Sequence, residues 1–146
     1  MKYLTAENLT VSTYQRLIDE CAEKPENQNG EPPIFEEIEN RVIAFVSAYL
    51  SGRYDTAKIF NETNPVINEL LVDIMTRIFI YRLIKRNAAR KVPTDAKEDY
   101  DAAIKQLEAI NAGKIKLDDL PKPTDGSGNP TSKPIYGNNS NRDYYI

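Results

Sequence analysis

Apolar residues recur at every third or fourth position along three long stretches of the chain, which is the spacing of one helix face. In the first stretch, Pro33 suits the first turn of a helix and Gly52 stands where the helix would end. Glu36, Glu37 and Glu39 lie near the positive end of the helix dipole. The apolar face comprises Ile34, Ile38, Val42, Phe45, Val46 and Tyr49. We therefore predict a long helix that begins at Pro33.

The second stretch, residues 65–91, is apolar around most of its circumference. Asn64 can cap this helix and Pro65 can begin it. Its apolar residues are Val66, Ile67, Leu70, Leu71, Ile74, Met75, Ile78, Phe79, Tyr81 and Leu83. Charged residues within it, such as Asp73 and Arg77, make it too polar to span a bilayer. Such a helix is buried on several sides, either at the centre of the domain or against a neighbouring subunit.

The third stretch begins near Thr94, a candidate N-cap, and ends at Gly113. Its apolar positions form a narrow stripe of Tyr100, Ala103, Ile104, Leu107 and Ile110. A narrow stripe predicts a helix on the surface of the domain. Beyond Gly113, the alternation of Ile115 and Leu117 predicts a short extended segment.

Two shorter helices are predicted nearer the start of the chain. The first covers about residues 6–9 and follows Thr5, which can act as its N-cap. The second is capped by Ser12 or Thr13, and its apolar face comprises Tyr14, Leu17, Ile18 and Cys21. The proline- and asparagine-rich residues 24–33 then predict a loop.

These elements predict an all-α fold, a small helical domain of three long and one or two short helices over residues 1–120. Residues 121–146 are rich in proline, glycine and asparagine, which predicts a long extended C-terminal arm that orders on a partner. Its candidate anchors are Tyr136, Tyr144, Tyr145 and Ile146. Fully extended, the arm reaches on the order of 80 Å, which is more than one domain diameter.

The composition argues against an enzyme. The 146 residues include no histidine and one cysteine. The commonest general base and metal ligand is therefore missing, and a cysteine-rich zinc site and an internal disulfide are both excluded. No glycine-rich phosphate loop precedes a helix. We predict no catalytic, cofactor-binding or metal-binding residue, and no secretory signal or membrane span. By elimination, the sequence indicates an interaction protein.

Charge is unevenly distributed along the chain. Residues 1–64 carry 6 basic and 11 acidic side chains, whereas residues 65–91 carry 6 basic and 2 acidic ones. The basic residues crowd the C-terminal end of the second long helix, at Arg82, Lys85, Arg86, Arg90 and Lys91. The helix dipole favours cations there. The cluster can bind an acidic neighbouring subunit or nucleic-acid phosphates.

Four segments in order resemble the small head–tail connector proteins of tailed phages, in particular the Mu-like prophage connector family. They are YLTAENL, IENRVIAFVSAYLSGRY, NPVINELLVDIMTRIFIYRLIKR and DYDAAIKQLEAINAGKIKL. Together these segments extend the resemblance over about residues 1–120.

Individual residues match the motifs of that family. Its YLxGRY element is matched by Tyr49, Leu50, Gly52, Arg53 and Tyr54. The next element is matched by Pro65, Leu70, Asp73, Ile74, Tyr81 and Leu83, and the last by Tyr100, Ala103, Leu107, Ile110, Gly113 and Leu117. Arg53 and Tyr54 can orient the connection that follows them, but we favour a structural role at the end of a helix.

The resemblance implies a structural virion protein, made in the host cytoplasm and located in the neck. Such adaptors form a ring, commonly of twelve copies, beneath the portal, where it extends the DNA channel and provides the attachment platform for the stopper or tail. The implied partners are other copies of the chain, the portal, the stopper or tail proteins and, without sequence specificity, the packaged DNA. No cofactor or membrane is implied.

The resemblance also suggests which residues bind partners. Arg82, Lys85, Arg86 and Arg90 would face an acidic partner or the DNA lumen. Tyr136, Tyr144, Tyr145 and Ile146 would anchor the arm on the portal or an adjacent subunit, because aromatic anchors often dominate the energy of such contacts. The alternative is a small helical regulatory or nucleic-acid-binding protein of a phage or bacterium. That protein would bind DNA in a salt-sensitive manner as a monomer or dimer.

Overall fold

The computed structural model describes residues 1–12, 18, 33–86 and 91–124. Within these ranges the chain forms five helices, namely α1 (Ala6–Ser12), α2 (Pro33–Leu50), α3 (Thr56–Ile59), α4 (Glu69–Arg86) and α5 (Thr94–Asn111). Three of them, α2, α4 and α5, have 18 residues each. The predicted all-α fold with three long helices is confirmed.

Helix α4 lies at the centre of the domain, in contact with α1, α2 and α5. Ten of its residues are buried, namely Leu71, Val72, Ile74, Met75, Thr76, Ile78, Phe79, Ile80, Leu83 and Ile84. Of the two sequence-based alternatives, burial within the domain is therefore the one observed. Among the described residues, the large apolar side chains that remain exposed are Val11 and Ile67. The apolar surface of α4 is thus not available to cover a neighbouring subunit.

The start of α4 differs from the prediction, which placed it at Pro65 with Asn64 as its cap. The helix begins at Glu69, and the Asn68 side chain accepts a hydrogen bond from the Leu71 amide at 2.9 Å. The Val66 amide instead donates to the Ile59 carbonyl at 3.0 Å, which holds this part of the chain outside the helix. An N-cap therefore forms at the asparagine nearer the helix.

Helix α5 lies on the surface, as predicted, with Ala103, Leu107 and Ile110 of its stripe fully buried. Thr94 is its first residue rather than its cap, because Pro93 precedes the helix with an extended backbone and no side-chain capping bond. The predicted end at Gly113 is confirmed, since Gly113 has a left-handed φ of 77° and its amide donates to the Ile110 carbonyl.

The chain stays attached to the domain beyond α5. Leu117 and Leu120 are buried in the core, and the Asp55 amide donates to the Pro121 carbonyl at 2.8 Å. The segment predicted as extended is therefore docked on the domain. The predicted boundary between domain and arm at residues 120/121 stays a prediction, because residues 125–146 lie outside the described part of the chain.

The remaining boundaries follow the predictions closely. Helix α2 begins at Pro33 as predicted and ends at Leu50, two residues before Gly52. Helix α1 is longer than predicted, since it continues to Ser12. Of the predicted second short helix, Ile18 is described and buried. Its other face residues, Tyr14, Leu17 and Cys21, lie outside the described residues.

A buried carboxylate joins the N-terminal segment to α2. The Glu39 side chain has no solvent exposure and accepts three backbone amide hydrogen bonds. The Lys2 amide donates to Oε2 at 2.6 Å, and the amides of Tyr3 and Leu4 donate to Oε1 at 2.8 Å each. Charge-assisted bonds of this kind offset the cost of burying an ionised group. Glu39 therefore anchors the segment, a role beyond the dipole contact expected from the sequence.

Tyr3 extends this anchor to α3 and the start of α4. Its ring meets the edge of Phe60, with ring centroids 5.1 Å apart. Its hydroxyl donates to the Val66 carbonyl at 3.2 Å and accepts from the Asn68 amide at 3.3 Å. The N-terminal segment thus fastens α2, α3 and the cap of α4 together.

We expect Glu39→Ala to destabilise the protein by about 3 kcal/mol, because three backbone amides, two of them buried, lose their acceptor. Urea unfolding followed by circular dichroism measures this change. The matched control is Glu37→Ala, which removes an exposed partner of Arg41 and should cost less than about 1 kcal/mol. Equal losses for the two variants would contradict an anchoring role for Glu39.

Tyr3 is expected to make the free energy of unfolding fall as the pH rises in the alkaline range. Burial, reinforced by the charges of Asp119 and Glu69, raises the pKa of the Tyr3 phenol above its ordinary value of 10.0. A raised folded-state pKa gives stability that is complete below the unfolded pKa and is lost as pH rises through the folded one. Above about pH 10 we therefore expect wild type to lose stability more steeply than Tyr3→Phe. Urea midpoints across this range measure the slopes, and parallel slopes would contradict the prediction.

Candidate partner-binding surface

Three of the eight predicted partner-binding residues, Arg82, Lys85 and Arg86, lie in the described part of the chain, all in the last two turns of α4. The other five, Arg90, Tyr136, Tyr144, Tyr145 and Ile146, lie outside it. The structure therefore places the basic cluster at the C-terminal end of the central helix, where the dipole favours cations.

Arg82 is held against an aromatic side chain of α2. Its guanidinium carbon lies 5.0 Å from the centroid of the Phe45 ring, within the range of a cation–π contact. The edge of Phe45 in turn meets Tyr49, one turn further along α2, at a centroid distance of 5.3 Å. All three side chains are half-buried. Arg82 thus holds its positive charge over the ring of Phe45, which packs against Tyr49.

Lys85 makes the corresponding contact on the side of α5. Its ammonium nitrogen lies 5.8 Å from the centroid of Tyr81, and Tyr81 stacks on Tyr100 at 4.2 Å with an interplanar angle of 22°. Both rings are half-buried and Lys85 is exposed. This contact joins the end of α4 to the first turns of α5.

Arg82 and Lys85 are three residues apart on α4 and are therefore neighbours on its surface, and we call the two sets of contacts together the aromatic–basic patch. Its members are Phe45, Tyr49, Tyr81, Arg82, Lys85 and Tyr100. Within the described ranges, neither of its cations forms an ion pair with a carboxylate, whereas Arg77, closer to the middle of α4, pairs with Asp73 at 2.7 Å. The patch can therefore bind a group that combines negative charge with aromatic or apolar surface.

A second set of residues, Arg53 and Tyr54, holds the end of α5. The Arg53 Nε donates to the Asn111 carbonyl at 2.6 Å, and the Leu117 amide donates to the buried Tyr54 hydroxyl at 2.9 Å. The Arg53 guanidinium lies so close to Gly113 that a Cβ there would be 2.7 Å from its Cζ. The favoured interpretation, a structural role at a helix end, is confirmed, although the helix concerned is α5.

Sequence reasoning missed the aromatic members of the patch because their positions fit apolar helix faces. Phe45 and Tyr49 were assigned to the face of α2, and Tyr81 and Tyr100 to those of α4 and α5. The available signal was the four-residue spacing of Tyr81 and Lys85, which places an aromatic ring and a cation together on one helix face.

Other kinds of site receive no support from the described residues. They contain no group of three or more histidine, cysteine, aspartate or glutamate side chains that could hold a metal ion. None of the described helices is long and apolar enough to cross a membrane.

Comparison with protein families identifies the chain as a bacteriophage protein. The model of the bacteriophage Mu Gp36 family matches residues 3–133, nearly the whole sequence, and the chain belongs to this family. Among curated proteins, none matches the chain. The matched range includes every described helix, the aromatic–basic patch and the Arg53–Tyr54 contacts.

We expect Gly113→Ala to destabilise the protein by about 1–2 kcal/mol, because its left-handed backbone disfavours a Cβ. The contact with the Arg53 guanidinium adds to this cost. Gly52→Ala is the control, because its Cβ would meet Asn111 Oδ1 at an ordinary 3.7 Å. Urea unfolding compares the two variants.

The double variant Arg53→Ala/Gly113→Ala separates the two causes. Removal of Arg53 relieves the close contact but leaves the backbone strain. In a double-mutant cycle, the double variant should therefore lose less free energy of unfolding than the sum of the two single losses. Strictly additive losses would contradict a contact between the two residues.

Proposed function

We propose that the protein is a structural virion component, a head–tail adaptor that assembles as a ring beneath the portal. The main support is the family match over residues 3–133, together with the resemblance of its motifs to phage connector proteins. In this role the ring extends the DNA channel and provides the attachment platform for the stopper or tail. Its location would be the neck of the virion, and its copy number in such a ring is commonly twelve.

The aromatic–basic patch supports a role in assembly. A ring subunit needs two different surfaces, one for each neighbour. Because the apolar residues of α4 are buried inside the domain, the subunit contacts must use other groups. Half-buried aromatic rings and arginine are the residue types that most often dominate interface energies. The patch offers four such rings beside two cations without ion pairs in the described ranges.

The arm supports contacts over a longer distance. The chain is held to the domain at Pro121, so the arm starts from a fixed point beside α3. Its anchors Tyr136, Tyr144, Tyr145 and Ile146 would then bind the portal or an adjacent subunit.

We also propose that the role is structural rather than catalytic and that it needs no cofactor. The support comes from the sequence, in which histidine is absent and cysteine occurs once. Contact with packaged DNA in the channel would be secondary and without sequence specificity.

We expect the full chain to co-sediment with capsids that carry the portal and not with capsids that lack it. Electron microscopy of the complexes should show a ring below the portal. Lys85→Glu should weaken this binding by about ten-fold or more, because it reverses a charge of the patch. The matched control is Lys105→Glu, an exposed lysine of α5 outside the patch, which should bind like wild type.

Two results would contradict the adaptor. One is equal binding to capsids with and without the portal. The other is a monomer or dimer that binds DNA with strong salt dependence and forms no ring when the portal is present. The second result would favour the regulatory or nucleic-acid-binding alternative.

A further inference from the structure

The aromatic–basic patch has the chemistry of a binding site for a short acidic and aromatic peptide. We propose that the patch of one copy binds residues 142–146, the sequence Arg-Asp-Tyr-Tyr-Ile, of a neighbouring copy. This inference deepens the proposed function, because it rests on the ring for the presence of the neighbour and names the surface that receives the arm.

The patch defines what its ligand must contain. Arg82 and Lys85 are positioned over rings and form no ion pair with a carboxylate of the described residues. Each can therefore pair with a carboxylate of the bound peptide. The stacked rings of Tyr81 and Tyr100 are half-buried, and their remaining surface can pack against another ring. A suitable ligand therefore carries a carboxylate beside aromatic side chains.

The sequence offers this combination near its C-terminal end. Asp143 directly precedes Tyr144, Tyr145 and Ile146. Residues 19–32 are acidic but contain no aromatic side chain, and Tyr136 has no acidic residue within five positions on either side. Tyr14 has no acidic residue within four positions, and residues 87–90 contain neither an acidic nor an aromatic side chain. Among the segments outside the described ranges, residues 142–146 thus fit the patch best in chemistry.

The length of the arm allows it to reach another copy. The Asp55–Pro121 hydrogen bond fixes its start, and Asp143 lies 19 positions beyond Thr124 in the sequence. Fully extended, 19 residues span about 65 Å. A domain of about 120 residues has a radius of gyration near 14 Å and hence a diameter of about 35 Å. The segment can therefore cross its own domain and reach the patch of the next one.

Arm exchange also explains how a small contact can suffice. A five-residue segment buries little area, and its binding alone would be weak. In a ring each copy both gives and receives one segment, so the contacts act together, and the tether raises the effective concentration of each segment near its site.

A labelled peptide of residues 138–146, titrated onto the full chain at a concentration where the chain is monomeric, tests the inference by fluorescence anisotropy. We expect saturable binding that Lys85→Glu or Arg82→Glu weakens by about ten-fold or more. A peptide with Asp143→Lys should regain affinity for the Lys85→Glu chain, because the exchanged charges again attract. Lys105→Glu serves as the control and should bind the peptide like wild type.

A chain that carries Asp143→Lys distinguishes the neighbouring copy from the same copy. If the segment binds in trans, this chain takes up the wild-type peptide as the wild-type chain does. Markedly tighter uptake by this chain would mean that the patch is already occupied by its own segment, and would overturn the proposal. Binding that is absent, or that is indifferent to Lys85→Glu and Arg82→Glu, would overturn it as well.

Failure of this inference and failure of the adaptor function give different results. The peptide assay needs neither portal nor ring, so peptide binding without a ring would contradict the adaptor alone. A portal-dependent ring whose subunits bind no peptide would contradict the arm contact alone. Circular dichroism of each charge variant verifies that a loss of binding does not reflect unfolding.

Discussion

A helix that is apolar around most of its circumference is stable in water only when other elements cover its apolar sides, and α4 is such a helix. Helices α1, α2 and α5 enclose it, each with one apolar face. Enclosure of α4 therefore decides the arrangement of the long helices. It also leaves the chain with little exposed apolar surface in its described part, so contacts with other molecules must rely on aromatic, polar and charged groups.

Polar contacts of α2 and the turn after it hold two other parts of the chain to the helical core. Glu39 binds backbone amides 35 to 37 residues away, while Arg53 binds a carbonyl 58 residues away. Both residues belong to α2 or to the turn directly after it, so this one region fastens the N-terminal segment and the end of α5. Backbone groups at segment ends need such partners, because burying them without a hydrogen bond is costly.

The helices could be predicted because burial of a face imposes a three- to four-residue period on the sequence. Their starts were harder to predict, since Asn64 and Asn68 are both good caps and the choice depends on the distant Val66–Ile59 hydrogen bond. Glu39 was missed as an anchor although it lies one turn from Phe35 on the buried side of α2. A glutamate at a core-facing position was the available signal. The basic half of the patch was predicted from charge, but its rings were not, because periodicity does not separate half-buried from buried positions.

The attachment of the chain after α5 has a mechanical consequence. A pull on the arm would act on the Asp55–Pro121 hydrogen bond and on the buried side chains of Leu117 and Leu120. The load would pass to the corner between α2 and α3 and reach the last turn of α5 only after these contacts had separated. Tension on the arm would thus be carried by contacts within the helical domain before it reached the helix that carries Tyr100.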